Sequence, residues 1–231
     1  MTFKSVLIYF ARMKHWLTHI VVFFLTSTLV GQSDSQFTEL FIKAENGDAY
    51  AQNNLGGVYY TGDRVEQDYV ESFKWFRKAA QQGYPPAQRN LGMLYEEGLG
   101  VRQNFEKAFK WYRKAAEQGL AQAQHNLGEM YIWGLGVEQD YVEAFKWYRE
   151  AADRDHPDAQ FKLGEMYAVG SGVKQDYVWA YTWYAISAAG GIYDGRANSI
   201  AIEKKMTKAQ VLEAKRRANK WVLKKSSRKP R

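Results

Sequence analysis

The sequence predicts an all-α solenoid: a right-handed superhelix of stacked antiparallel helix pairs, closed by a C-terminal capping helix. Three observations carry this. Trp75, Trp111, Trp147 and Trp183 stand 36 residues apart, and Leu55-Gly56, Leu91-Gly92, Leu127-Gly128 and Leu163-Gly164 keep the same step, as do Tyr59, Tyr95, Tyr131 and Tyr167. Self-similarity at such a period marks a repeat architecture. Each period holds two helical patterns around a glycine-containing loop. No single unit can bury the apolar faces of both helices, so the copies must stack.

Taken in order, the chain opens on a segment distinct from the repeats. Trp16 to Val30 form an apolar run of 15 residues, shorter than the ~20 a spanning helix needs and matching the core of a secretory signal. Lys14 supplies the positive flank and the small Gly31 precedes the polar QSDSQ, although Leu29 is large for its place near a cleavage point. Starting at Met13 rather than Met1 gives a conventional short signal, so Met13 is the expected start. Residues 1–31 are thus expected to be a signal peptide or, alternatively, an uncleaved N-terminal anchor. The expected location is exported: periplasmic or secreted, or anchored by residues 16–31. Residues 37–47 resemble the second half of a preceding copy. Repeats then run over 48–83, 84–119, 120–155 and 156–191, followed by capping helices over 192–223 and a basic flexible tail over 224–231.

Within a copy, Ala51, Leu55 and Tyr59 recur at i, i+4 and i+8 and define one face of the first helix. Gly56 lies on that inward side, where a missing Cβ lets a neighbouring helix approach. The loop carries Gly62, then Gly98-Leu99-Gly100, Gly134-Leu135-Gly136 and Gly170-Ser171-Gly172. Arg64 replaces the second glycine in the first copy, which predicts a differently shaped loop there. Asp68, Asn104, Asp140 and Asp176 are placed to cap the second helix, with Glu71 and Glu143 completing capping boxes. That helix is expected to bury Phe73, Phe109, Phe145 or Tyr181 together with the tryptophan, and to end at Gly83 and Gly119.

Composition narrows the function. The 231 residues include no cysteine, which excludes disulfides, thiolate metal sites and a cysteine nucleophile. The net charge of +7 is unevenly distributed. Residues 1–31 hold 3 basic residues and no acidic ones, residues 32–195 hold 16 against 23, and residues 196–231 hold 13 against 2. The segments therefore carry +3, −7 and +11. The repeat body is acidic, so no nucleic acid partner is expected there.

The string A-x-A-Q-x-x-L-G-x-x-Y-x-x-G-x-G-V-x-x-D, followed by A-x-x-W-x-x-x-A-A, resembles the Sel-1-like repeat family, a relative of tetratricopeptide repeats. The third copy shows it in Ala121, Ala123, Gln124, Leu127, Gly128, Tyr131, Gly134, Gly136, Val137, Asp140, Ala144, Trp147, Ala151 and Ala152. Asp155 stands where the closing glycine belongs. The chain resembles an exported bacterial member, without the cysteine pairs that some such members carry.

On a helical wheel, a second face of the first helix differs from copy to copy. Its residues are Asn53, Gly57 and Tyr60, then Arg89, Met93 and Glu96, then His125, Glu129 and Ile132, then Phe161 and Glu165. The resemblance implies that this face lines a concave groove that binds a protein or peptide. Trp133, whose counterparts are Thr61, Glu97 and Val169, is either a local packing solution or an anchor.

Catalytic signals are weak. His125 and His156 lack carboxylates at metal-binding spacing and read as solvated positions, so no metal and no cofactor are expected. Two S-x-x-K strings, Ser171 to Lys174 and Ser226 to Lys229, lack their companion motifs. After Gly191 the repeat fades, and Thr207 heads a last helix. Val211, Leu212, Lys215, Ala218 and Val222 suggest its amphipathic stripe, while Ala214, Ala218 and Trp221 are suited to covering the array's end. Its basic residues read either as a solvated cap or as contact with an anionic surface. The expected function is a non-catalytic protein–protein interaction scaffold. The alternatives are a weak penicillin-binding or β-lactamase-like enzyme, which other members suggest, and an envelope-binding module acting through the basic C-terminus.

Overall fold

The computed structural model describes residues 33–226, which form helices and no strands. They are α1 (Ser33–Glu45), α2 (Ala49–Thr61), α3 (Tyr69–Gln81), α4 (Pro85–Glu97), α5 (Phe105–Glu117), α6 (Ala121–Trp133), α7 (Tyr141–Asp153), α8 (Pro157–Val169), α9 (Tyr177–Ala189), α10 (Tyr193–Glu203) and α11 (Lys208–Ser226). The signal or anchor expected over 1–31, the choice between Met1 and Met13, and most of the basic tail lie outside the described residues. No described helix is long and apolar enough to cross a membrane. Consecutive helices pack in pairs along an α-solenoid, with α2, α4, α6 and α8 as first helices and α3, α5, α7 and α9 as second helices.

Caps set the helix boundaries. Asp68, Asp140 and Asp176 each accept two N–H groups of the following turn, and Asn104 accepts that of Lys107. The expected capping boxes at Glu71 and Glu143 do not form. The N–H groups they would satisfy already donate to Tyr59 O at 2.9 Å and Tyr131 O at 3.0 Å. Both carboxylates turn instead to Lys74 and Lys146. A capping box does form at Thr207, whose N–H donates to Gln210 Oε1 at 2.8 Å while its hydroxyl accepts from Gln210 N at 3.3 Å.

The second loop glycine seats each copy on its predecessor. At Gly100, with φ 67°, a Cβ would lie 2.0 Å from the Tyr69 carbonyl oxygen. Arg64 does not reshape its loop as expected, because its φ of 71° keeps the same left-handed backbone. Its side chain is exposed rather than pressed on a preceding helix, so the cost is confined to backbone strain.

Packing between paired helices depends on a ring that the sequence reading passed over. A Cβ on Gly56, Gly92, Gly128 or Gly164 would fall 2.5–2.8 Å from the ring of Phe76, Tyr112, Tyr148 or Tyr184, the residue after each tryptophan. The approaching helix is therefore the second helix of the same copy. These four rings are buried, whereas Phe73, Phe109 and Phe145 are half-buried. The latter meet Tyr95, Tyr131 and Tyr167 of the next copy edge-on at 5.4 Å. Trp75 and Trp183 are buried; Trp111 and Trp147 are only half-buried.

Buried glutamines join successive copies. Gln52, Gln88, Gln124 and Gln160 donate to the carbonyls of Ala44, Ala80, Ala116 and Ala152 at 3.0–3.4 Å, serving acceptors near the end of the preceding helix. At the C-terminus α11 packs against α9, with Ala214 and Ala218 buried and Trp221 edge-on to Trp183 at 5.1 Å. The stripe expected through Leu212, Lys215 and Val222 is rotated away: all three are exposed, because Ala214, Ala218 and Trp221 claim the contact with α9.

Candidate functional site

The eleven residues expected on the variable face of the first helices are all half-buried. On α2, Asn53 accepts from Asn90 Nδ2 at 3.0 Å, Tyr60 lies edge-on to Tyr69 at 5.5 Å, and Gly57 has open space where a side chain would project. On α4, Arg89 donates to Asn90 Oδ1 at 3.1 Å and runs along Met93 Sδ, while Glu96 accepts from the Tyr112 hydroxyl at 2.6 Å. On α6, Ile132 packs against the C-terminal core. On α8, the Phe161 ring lies 5.4 Å from Tyr184, and Glu165 faces Lys162 Nζ at 3.5 Å.

Some of these residues take part in two connected groups. Asn53 and Arg89 are linked through Asn90, bridging α2 and α4. A larger group is centred on Glu129 and joins α6, α7 and α8. Its carboxylate accepts from the Tyr148 hydroxyl at 2.6 Å and from the Trp133 indole N–H at 3.1 Å, and Lys162 Nζ lies 3.5 Å away. Burial pushes this carboxyl up, but Tyr148, the Lys162 charge and Trp133 together hold it below its ordinary value. Burial, and then the facing carboxylate, raise the Tyr112 and Tyr148 hydroxyls well above theirs. Trp133 is 66% exposed although its N–H is held by Glu129.

The two histidines depart from their solvated reading. Both are half-buried and stack with ring centroids 4.9 Å apart at 18°. Burial, followed by the neighbouring His156, lowers His125 to about 4. Burial also lowers His156, whose Nδ1 accepts from Ala159 N at 3.3 Å and caps α8. Among the described residues no group of three histidine or carboxylate side chains is arranged to hold a metal ion. Ser171 sits in the loop after α8 with its N–H on Met166 O, and Lys174 is exposed.

Tyr112 and Tyr148 are the network residues that sequence reasoning missed. Their signal was present, since Phe76, Tyr112, Tyr148 and Tyr184 repeat at 36 residues. Gln67, Gln103, Gln139 and Gln175 repeat in the same way and donate to the carbonyls of Tyr60, Glu96, Ile132 and Ala168, fixing the end of each first helix.

The model of the Sel1 repeat matches residues 49–84, 85–120, 121–156 and 157–192 in succession. The chain belongs to the Sel1 repeat family. Proteins built of Sel1 repeats are generally protein–protein interaction scaffolds and typically non-catalytic. Among solved structures, the chain is similar to a protective antigen present in uropathogenic Escherichia coli strains displaying an SLR fold. The two are 44% identical, with a TM-score of 0.67 over 68% of this chain and 34% of that one. A Sel1 repeat protein from Oxalobacter formigenes is 37% identical, with a TM-score of 0.66 over 71% of this chain and 67% of that one. The chain therefore spans about a third of the Escherichia coli protein's length and two thirds of the Oxalobacter protein's. No curated protein matches it.

Proposed function

We propose that this Sel1 repeat protein is a non-catalytic scaffold that binds a protein or peptide segment on the face formed by its first helices. The observation that carries the reading is Trp133: a large indole left exposed, with its orientation held by Glu129, which Tyr148 and Lys162 hold in turn. An aromatic presented on a preorganised support is the usual form of an interface anchor, because little side-chain entropy remains to be lost on binding. The apolar run at 16–30 supports an exported scaffold, periplasmic or secreted. Co-purification from an envelope extract tests the reading, comparing wild type with the triple variant Arg89→Ala/Met93→Ala/Trp133→Ala. The partner set should be lost at unchanged helix content. Retention of every partner by the variant would reject this face.

A further inference from the structure

The rotation of α11 leaves a surface that the scaffold reading does not use. Leu212, Arg216, Asn219 and Leu223 follow i, i+4, i+7 and i+11 and line the side of α11 opposite Ala214, Ala218 and Trp221. Leu212 is 72% and Leu223 69% exposed. Lys208, Lys215 and Lys220 flank them and are exposed as well. Two shallow clefts lie along the helix, one lined by Leu212 and Lys215 and the other, further along, by Val222 and Leu223. Across 193–226, ten Lys and Arg face three Asp and Glu, a net charge of +7. Two of the three carboxylates are engaged, Glu213 by Arg216 and Arg217 and Glu203 by Lys215. The sequence continues past α11 with Arg228, Lys229 and Arg231.

We propose that the outer face of α11 docks on an anionic lipid surface, with Leu212 and Leu223 entering the headgroup boundary and the flanking lysines meeting the lipid charge. A helix lying in a membrane interface needs an apolar edge within a basic face, and α11 has both. The leucines favour lipid over nucleic acid or another polyanion. A polyanion is bound by charge and gains nothing from exposed aliphatic side chains, and the exposed row carries no ring for base stacking. This docking is independent of the first-helix face, so either can fail alone.

The absence of cysteine permits a localised test on the full chain. Leu212→Cys, Leu223→Cys and, as a control in the first repeat loop, Asp63→Cys each take one environment-sensitive fluorophore. Vesicles of phosphatidylglycerol mixed with phosphatidylcholine are compared with phosphatidylcholine alone, and heparin serves as a lipid-free polyanion. The labels at 212 and 223 should shift to the blue on anionic vesicles only, with no shift at 63. In the unlabelled chain, Leu212→Ser/Leu223→Ser should lower vesicle partitioning roughly tenfold at unchanged helix content. Lys208→Gln and Lys220→Gln should each cost about fivefold, less at high salt. Vesicle binding with silent labels at 212 and 223 would place the contact elsewhere in the chain and overturn the proposal. So would failure to bind anionic vesicles, or heparin binding of equal strength together with wild-type partitioning of the serine pair.

Discussion

Gly56 and Gly57 are consecutive residues of α2 whose replacement by alanine should have opposite effects. Alanine is favoured over glycine in a helix interior by about 1 kcal/mol, and both substitutions gain this. At Gly57 a Cβ meets nothing within 4 Å, so the gain stands. At Gly56 the Cβ would fall 2.7 Å from Phe76 Cδ1 and 2.8 Å from Cε1, about an ångström inside the usual ~3.5–4.0 Å carbon separation. The Phe76 ring is buried in a cluster with Ala79, Ala80, Ala87, Leu91 and Leu94, and has nowhere to retreat without moving α3. Overpacking of this kind costs roughly 1–3 kcal/mol. Gly56→Ala should therefore be destabilised by about 1 kcal/mol net, and Gly57→Ala stabilised by up to about 1 kcal/mol. At roughly 2–4 °C per kcal/mol, the two melting temperatures should differ by about 4–8 °C. Thermal and urea unfolding followed by circular dichroism on both variants measures it. A Gly56→Ala protein as stable as Gly57→Ala would refute the claim that the glycine is kept for the ring.

Three further outcomes follow from the same contacts. Gly100→Ala places a Cβ on the Tyr69 carbonyl and should cost about 3 kcal/mol or more, while Arg64→Gly, at the equivalent backbone, should be neutral or mildly stabilising; paired urea midpoints check both. Tyr148→Phe removes a donor from Glu129, so that carboxyl should titrate higher than in wild type; carboxyl-carbon NMR over an acid titration reads it, and an unchanged value counts against the network. His125 is neutral when folded and lowered to about 4, so the unfolded chain binds more protons between about 4 and 6.5. Its contribution is complete above about pH 6.5 and fades as the pH falls toward 4, by up to about 3 kcal/mol. His125→Asn should flatten that slope in urea unfolding at pH 7 and pH 5, and an equal slope in both proteins would show that the histidine pair is not its source.

The repeat and the fold class were legible because positions constrained by packing between identical copies must recur, and Trp75, Leu55 and Tyr59 do so at one step. The second face of the first helices differs from copy to copy at Asn53, Arg89, His125 and Phe161, and the structure gives each a partner of its own, as in the Asn53–Asn90 hydrogen bond and the His125–His156 stack. The Glu129 network was not legible. It joins Tyr148, nineteen residues away on another helix, with Lys162 on a third, and neither the spacing nor the periodicity of α6 encodes that meeting. The capping boxes misled because a local motif competes with a longer-range acceptor, and the Tyr59 and Tyr131 carbonyls win the N–H groups.

By itself, then, the amino-acid sequence determined the period, the pairing of helices, the caps at Asp68, Asn104, Asp140 and Asp176, and the acidic body with its basic end. The period, the pairing and the caps depend on contacts within a copy or between adjacent copies, which the 36-residue spacing records directly. Only the tertiary structure decided which ring fills the glycine gap, how two distant histidines stack, and that Trp133 stays exposed beside a fixed carboxylate. It also decided which side of α11 faces outward. An amphipathic pattern with apolar residues on two sides permits more than one orientation, and the fit of Ala214, Ala218 and Trp221 against α9 selects the one that turns Leu212 and Leu223 outward.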